Sequence, residues 1–266
     1  MGTFRSILAG LVLAGTALAM SAASASAAVV GITGVTLDPT PSGNIRDTTH
    51  VTSFTTPSGT WSDIVGADSA SNVTTDPSPG NESGIRNFWG ADSSEIDGTA
   101  SITGANALDL GHGILSISTI DVQFGTVLQG AGGSGNDIFI FEVRGDEQLT
   151  IKPLDDSGSP IGDFSLSISD TDWGDTGSDR TVNTENVGNG VIGPYSHDVA
   201  GVAFDLSDFT GTGELAGVTG LRITDSAGSF GTSVVGYTVP EPASATLLVV
   251  GGLVLLMPRR RSRGHA

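Results

Sequence analysis

The chain has 266 residues, of which 29 are acidic, 11 are Lys or Arg and none is cysteine, so its formal net charge is −18. A chain this acidic repels phosphate, which argues against nucleic-acid binding, and the lack of cysteine excludes disulfide scaffolds, thiol catalysis and cysteine metal sites. The 39 glycines argue against a helical bundle, because glycine weakens a helix interior by about 1 kcal/mol relative to alanine.

The first 27 residues have the three-part layout of a secretory signal peptide. Arg5 precedes an uncharged apolar run from Ile7 to Met20, and Ala25-Ser26-Ala27 matches the small-x-small pattern of a cleavage site. The run is shorter than the roughly 20 residues of a spanning helix. We therefore expect a signal helix that directs Sec-dependent export, with cleavage after Ala27, or alternatively after Ala25 or Ala28.

Residues 28–238 are expected to form a single extracellular domain. Between Val29 and Val239 the chain keeps six basic residues and 28 acids, a net charge of −22. Such a surface resists nonspecific association. The stretch Asp38 to Gly84 is rich in Thr, Ser, Pro, Gly and Asn, and its composition predicts mostly loop.

From about residue 115 onward the apolar residues alternate with a period of two, which predicts short strands separated by turn residues. The continuously apolar Ile138–Phe141 predicts a strand covered on both faces, and a shift of phase between Ile117 and Ile120 predicts a bulge or a bend. Short helical turns are expected at most near Leu206–Phe209 or Glu214–Val218. The fold class is therefore predicted to be all-β, an antiparallel sandwich or jelly roll.

The histidines and carboxylates of the body give no strong catalytic motif. His112 and His197 lie in turn-like sequence, no zinc-binding spacing is present, and no Gly-x-Ser-x-Gly elbow supports a Ser-His-Asp triad. Glu142 and Asp146 are a candidate pair for glycoside hydrolysis, which needs two carboxyl groups at a set separation. The favoured interpretation is that the protein is not an enzyme and has no cofactor.

Two acidic clusters allow alternative interpretations. Asp155-Asp156-Ser157-Gly158 is predicted to be a hairpin turn. Asp170, Asp172, Asp175 and Asp179 loosely resemble a Ca²⁺ loop but lack the EF-hand glycine and glutamate, so a solvated acidic loop is the favoured interpretation and Ca²⁺ the alternative.

The tryptophans Trp61, Trp89 and Trp173 are candidates for stacking on sugar rings, although core packing is their commoner role. Trp173 lies between acidic residues and is predicted to be the most exposed of the three.

Residues 239–266 have three parts in a fixed order. Pro240-Glu241-Pro242 is expected to be extended because of its prolines. Ala243–Met257 is predicted to be a transmembrane helix of about 22 Å, short for a hydrocarbon core of roughly 30 Å, and a basic tail follows. Four arginines in that tail form a stop-transfer block that stays on the cytoplasmic side: Arg259, Arg260, Arg261 and Arg263.

This tail resembles the PEP-CTERM sorting signal of exported bacterial proteins. The resemblance implies that Pro240, Glu241 and Pro242 are recognised by the membrane protease-transpeptidase exosortase, and that the arginines are the basic stop. It implies a transient inner-membrane anchor, followed by release to the cell surface or extracellular matrix.

The body, over roughly residues 120–238, resembles exosortase-dependent surface proteins of unassigned function. The resemblance depends on the order of the segments NDIFIFE, LTIKPLDDSG, GVAFDLSDF and GLRITD, and it implies a jelly-roll body similar to galactose-binding-like modules. A structural or interaction role linked to exopolysaccharide is the first hypothesis. A carbohydrate-binding module is the second and a secreted hydrolase the third, with polysaccharide as the expected partner.

Overall fold

A computed structural model describes residues 29–45, 49–75, 85–89, 107–110, 117–128, 138–143, 145, 147–186, 190–225 and 232–239. The predicted signal peptide and the tail from Pro240 onward lie outside these residues. In the part of the chain that is described, no helix is long and apolar enough to cross a membrane.

Short strands make up most of the described structure, as the period-two pattern predicts. The strands and the 3-10 turn are β1 Val30–Gly31, β2 Gly34–Asp38, β3 His50–Thr56, β4 Gly59–Trp61, β5 Ile64–Gly66, β6 Ser69–Thr75, β7 Ile85–Trp89, β8 Ile117–Gln123, β9 Ile138–Val143, β10 Leu149–Leu154, β11 Leu166–Ile168, β12 Gly174–Asn186, β13 Gly190–Phe204, the 3-10 turn Leu206–Asp208, β14 Gly220–Asp225 and β15 Thr232–Thr238.

The strands form three sheets whose strand pairs are antiparallel. The largest has the order β5-β15-β9-β13-β12-β7, with β1 also paired to β13. The second has the order β11-β10-β14-β8-β6, and the third is the small sheet β2-β3-β4. The all-β prediction is therefore confirmed.

The main core lies between the largest sheet and the five-stranded sheet. Side chains of β9, β13 and β15 meet those of β8, β10, β11 and β14 there. This arrangement of two facing antiparallel sheets is consistent with a sandwich. Representative members of the main core are Ile120, Val122, Ile138, Ile140, Leu149, Ile151, Val202, Phe204, Leu221, Ile223 and Val235.

A second core covers the opposite face of the largest sheet. Phe139 and Phe141 of β9 contact this second cluster, where Phe54 of β3 packs 4.9 Å from Phe139 between ring centroids. Ile138 and Ile140 belong to the main core. The prediction that Ile138–Phe141 is covered on both faces is confirmed, and the small sheet provides the second cover.

The interpretation of Asp38 to Gly84 as mostly loop was wrong. Strands β3 to β6 lie within it. The prediction treated threonine as a loop-forming residue, although its branched Cβ favours strands. In the small sheet the hydroxyl oxygens of Thr55 and Thr60 pair across β3 and β4 at 3.1 Å.

Two local predictions agree with the structure. The Asp155 side chain accepts hydrogen bonds from the backbone N–H of Ser157 and Ser159, both at 2.9 Å, and so closes the turn after β10. A hydrogen bond from the Ser157 hydroxyl, together with these two backbone bonds, holds the pKa of Asp155 below its usual value. The 3-10 turn Leu206–Asp208 is capped by Asp205, within one of the two expected positions.

The expected bulge is also found. Ile117 and Thr119 of β8 oppose the consecutive residues Thr75 and Thr74 of β6, so β8 has one extra residue there. That extra residue lies within the predicted shift of phase.

Candidate functional site

The chain leaves the sheet immediately before the predicted sorting motif. Strand β15 ends at Thr238 and lies between β5 and β9 in the largest sheet. The backbone N–H of Val239 donates to the carbonyl of Asp63 at 2.7 Å. Pro240, Glu241, Pro242 and the arginines of the tail lie outside the described residues.

The histidines do not converge on a site. His197 lies in β13 opposite Arg180 of β12, so the expectation of a loop position was wrong, while His50 begins β3. His112 is outside the described residues. Throughout the described part of the chain, no three His, Asp or Glu side chains are grouped so that they could hold a metal ion.

The acidic stretch from Asp170 to Asp179 is a turn followed by a strand. Asp172 accepts hydrogen bonds from the backbone and hydroxyl of Ser169, both at 2.7 Å, whereas Asp175 and Asp179 belong to β12. The acidic loop therefore ends where β12 begins at Gly174, so the observed loop includes only the first two of the four aspartates.

The tryptophan predicted to be most exposed is half-buried. The indole N–H of Trp173 donates to the carbonyl of Glu147 at 2.9 Å, and its ring packs against the main core. Trp61 packs against the second core, and Trp89 lies in β7. Trp61 is half-buried as well and the side chain of Trp89 is not described, so the ranking of Trp173 as the most exposed of the three stays a prediction.

Glu142, proposed with Asp146 as a hydrolytic pair, is completely buried in β9. Asp146 lies outside the described residues. Of this pair, the structure thus describes only a carboxylate that is inside the fold.

A surface cleft lies between β2 with its following loop and the beginning of β12. Its volume is about 530 Å³, within the roughly 300–1,000 Å³ of typical small-ligand sites. Its lining residues are Val35, Thr36, Leu37, Thr40, Pro41, Gly43, Asn44, Ile45, Gly177, Ser178 and Asp179.

A β-bulge shapes the β12 wall of this cleft. Asp175 and Ser178 pair with the consecutive residues Ala200 and Val199, so Thr176 and Gly177 are extra. Gly177 has φ +72° with open space in front of it, a backbone conformation that suits glycine.

The bulge is fixed by its own side chains. Gly177 N–H donates to Asp175 Oδ1 at 2.8 Å, and the Thr176 hydroxyl donates to the carbonyl of Val199 at 2.7 Å. These bonds fix the backbone of the β12 wall at the bulge, and bulges of this kind commonly redirect side chains beside binding sites.

Hydrogen bonds connect the two walls. Asn44 Nδ2 donates to the hydroxyl of Ser196 at 2.8 Å, and that hydroxyl donates to Asp179 Oδ2 at 3.4 Å. The backbone N–H of Ile45 donates to the carbonyl of Asp179 at 2.8 Å. The Asn44 amide and the Asp179 carboxylate are thus held at one rim.

A second, smaller cavity of about 360 Å³ lies where the three sheets meet, lined by His50, Asp68 and Phe124 with apolar neighbours. Tyr237 stacks edge-on against Phe124 with ring centroids 5.4 Å apart. Burial raises the pKa of the Tyr237 phenol, and the Asp68 carboxylate raises it further. The polar side chains in its described lining are His50 and Asp68, fewer than in the cleft between β2 and β12.

The sequence pattern grouped Asp179 with a solvated acidic loop, with Ca²⁺ binding as the alternative, and it did not identify Asn44, Ser178 or the other lining residues. The extended loop with Pro39 and Pro41 after a strand was a local signal for one wall. Its proximity to Gly177–Asp179 depends on pairing between distant parts of the chain.

No family model, curated protein or solved structure matches this chain.

Proposed function

We propose that this protein is exported and delivered by an exosortase-type transpeptidase to the cell surface or extracellular matrix. The observation that carries the proposal is the ordered tail: Pro240-Glu241-Pro242, an apolar segment and an arginine cluster. In support, Val239 is hydrogen-bonded to Asp63, so a cut within the motif would leave every strand that the structure describes intact. In this proposal the apolar segment of the tail anchors the protein in the inner membrane until the cut releases it.

The body is proposed to have a structural or interaction role linked to exopolysaccharide. Its excess of 22 negative charges and its one lysine, Lys152, favour a soluble surface that avoids nonspecific contacts. The two facing antiparallel sheets support the finer proposal of a jelly-roll or galactose-binding-like body.

Carbohydrate binding is the second candidate function, and the cleft between β2 and β12 favours it. The described lining includes one carboxylate, that of Asp179, whereas glycoside hydrolysis uses two. We therefore place a binding role before a hydrolytic one.

Localisation tests the sorting proposal. Replacing Pro240, Glu241 and Pro242 together by alanine should trap the protein in the inner membrane, because the motif that the transpeptidase grips is removed while the anchor remains. Cell fractionation followed by immunoblotting measures the distribution.

The matched control is Glu214→Ala, which removes an exposed acid of the body and should leave localisation unchanged. Release of the triple variant at the level of the parent protein would overturn the sorting proposal.

A further inference from the structure

The cleft between β2 and β12 is lined by both polar and apolar side chains. We infer that it binds an uncharged sugar unit within a polysaccharide chain. The inference builds on the proposed interaction role at the cell surface, and it adds the site and the ligand class.

The polar groups suit a ring that bears several hydroxyls. Asp179 offers carboxylate oxygens that accept hydrogen bonds, Asn44 offers an amide, and Thr36, Thr40 and Ser178 offer hydroxyls that both donate and accept. Adjacent sugar hydroxyls likewise donate and accept. These side chains can therefore donate hydrogen bonds to two neighbouring hydroxyls of one sugar and also accept hydrogen bonds from them.

The apolar part of the lining suits the C–H face of the same ring. Val35 and Pro41 are half-buried and keep apolar surface at the cleft. Leu37 adds little because it is 7% exposed, while Ile45 is completely buried behind them. Sites for small ligands commonly have such an apolar surface with a few polar groups that fix orientation.

The rim is preorganised, which lowers the entropic cost of binding. The bridge from Asn44 through Ser196 to Asp179 and the bond from Ile45 N–H to the Asp179 carbonyl hold both walls together. The self-bonded bulge at Thr176–Gly177 keeps the β12 wall open.

Charge decides between neutral and acidic ligands. Asp179 lies at the rim, and Lys and Arg are absent from the lining residues that the structure describes. The excess of 22 negative charges between Val29 and Val239 also repels uronic acids, sulfate esters and phosphates. The electrostatics therefore disfavour acidic sugars and allow an uncharged hexose to bind without a charge penalty.

The rim is accessible to a long chain. Thr36, Thr40, Gly177 and Asp179 are all exposed, so a polysaccharide can pass across the cleft with one unit seated in it. The probes are consequently polymers rather than free sugars.

Affinity electrophoresis of the full chain, in a zwitterionic detergent without a sugar headgroup, tests this inference. The gels contain a neutral glucan, mannan or galactan, with alginate as the acidic counter-probe. We expect retardation by at least one neutral polymer and none by alginate.

Two variants remove the site in different ways. Asp179→Asn removes the charged acceptor and should weaken retardation roughly tenfold or more, as expected for a lost hydrogen bond to a charged group. Gly43→Leu should weaken retardation by placing a bulky apolar side chain at a lining position, and it should not disturb the fold because nothing lies within 4 Å of a Cβ added at Gly43.

The matched controls are Asp156→Asn in the exposed turn after β10 and Ser42→Leu beside the cleft lining, both at exposed positions. Each should leave retardation unchanged, and thermal melting should show that all four variants fold. Three results would each overturn the inference. The first is no retardation in any neutral gel, and the second is stronger retardation by alginate than by the neutral polymers. The third is retardation of the Asp179→Asn and Gly43→Leu variants equal to that of the parent. The sorting variant at Pro240–Pro242 should bind normally, so failure of sorting and failure of binding are separate results.

Discussion

Asp121 is a buried carboxylate on a strand that otherwise supplies the main core. Its neighbours Ile120 and Val122 both belong to that core, so the Asp121 side chain lies on the opposite face of β8. Arg222, directly opposite on β14, donates from its Nε and a terminal nitrogen to the two carboxylate oxygens, each at 2.7 Å. This bidentate bond raises the pKa of Arg222 above its usual value.

The two partners of this pair are buried unequally, which predicts unequal effects of removing them. The side chain of Asp121 is 2% exposed and that of Arg222 is 30% exposed. Arg222→Leu should lower the free energy of unfolding by about 3–5 kcal/mol, because it leaves a buried charge without its main partner. Asp121→Leu should cost clearly less, since the guanidinium can turn toward water. Urea denaturation measures both.

Lys152→Leu provides the control. Lys152 is exposed and lies in β10, the other neighbour of β14, where it pairs with Arg222. Its loss should change the free energy of unfolding by no more than about 0.5 kcal/mol. Equal losses for Arg222→Leu and Asp121→Leu would contradict the argument from unequal burial.

The sequence predicted only part of this pair. The period of two places Asp121 and Arg222 on the faces of their strands that point away from the core. That β8 and β14 are neighbours, with these residues in register, depends on a pairing between distant segments that no local pattern encodes.

At the scale of elements, β9 is the strand that the sequence described best. An uninterrupted apolar run requires cover on both faces, and Ile138–Phe141 has it. The small sheet was missed, since β3 reads His-Val-Thr-Ser-Phe-Thr-Thr and buries Val51 and Phe54 at a spacing of three. That spacing breaks the period of two because the pairing of β2 with β3 has a register shift at Thr36–Leu37.

The double-sided burial of β9 predicts that substitutions on either face are severe. Phe139 and Ile140 are both completely buried, in different cores. Phe139→Ala should cost about 3–5 kcal/mol and Ile140→Ala about 2–5 kcal/mol, from lost apolar contact and the remaining cavity. Urea denaturation monitored by circular dichroism measures both.

Val127→Ala is the matched surface control. Val127 is 50% exposed, and its truncation should cost no more than about 0.5 kcal/mol. A cost this small for either β9 variant would mean that the corresponding face of the strand is not covered in solution.

At the scale of the whole molecule, the largest sheet is shared by both cores. β9, β13 and β15 each contribute to one core on one face and to the other core on the opposite face. The cleft is likewise assembled across the fold, from the segment after β2 and from the bulge of β12. Composition and periodicity therefore predicted the type of strand but not the site, because contacts between distant segments create it.

Sharing of the central sheet predicts that both cores unfold together. Loss of the small sheet would expose Phe139 and Phe141, and loss of the five-stranded sheet would expose Ile138 and Ile140 on the same strand. Neither core can open without uncovering apolar surface on β9, so a partly unfolded state is strongly disfavoured.

Single-tryptophan variants test this cooperativity. Trp61 packs against the second core and Trp173 against the main core. With Trp89 and either Trp61 or Trp173 replaced by phenylalanine, the remaining indole reports on one core. In each variant the fluorescence midpoint in urea should coincide with that variant's own circular-dichroism midpoint, as two-state unfolding requires. A Trp61 transition at clearly lower urea would show instead that the small sheet separates first, and that the cleft it helps to form opens before the sandwich unfolds.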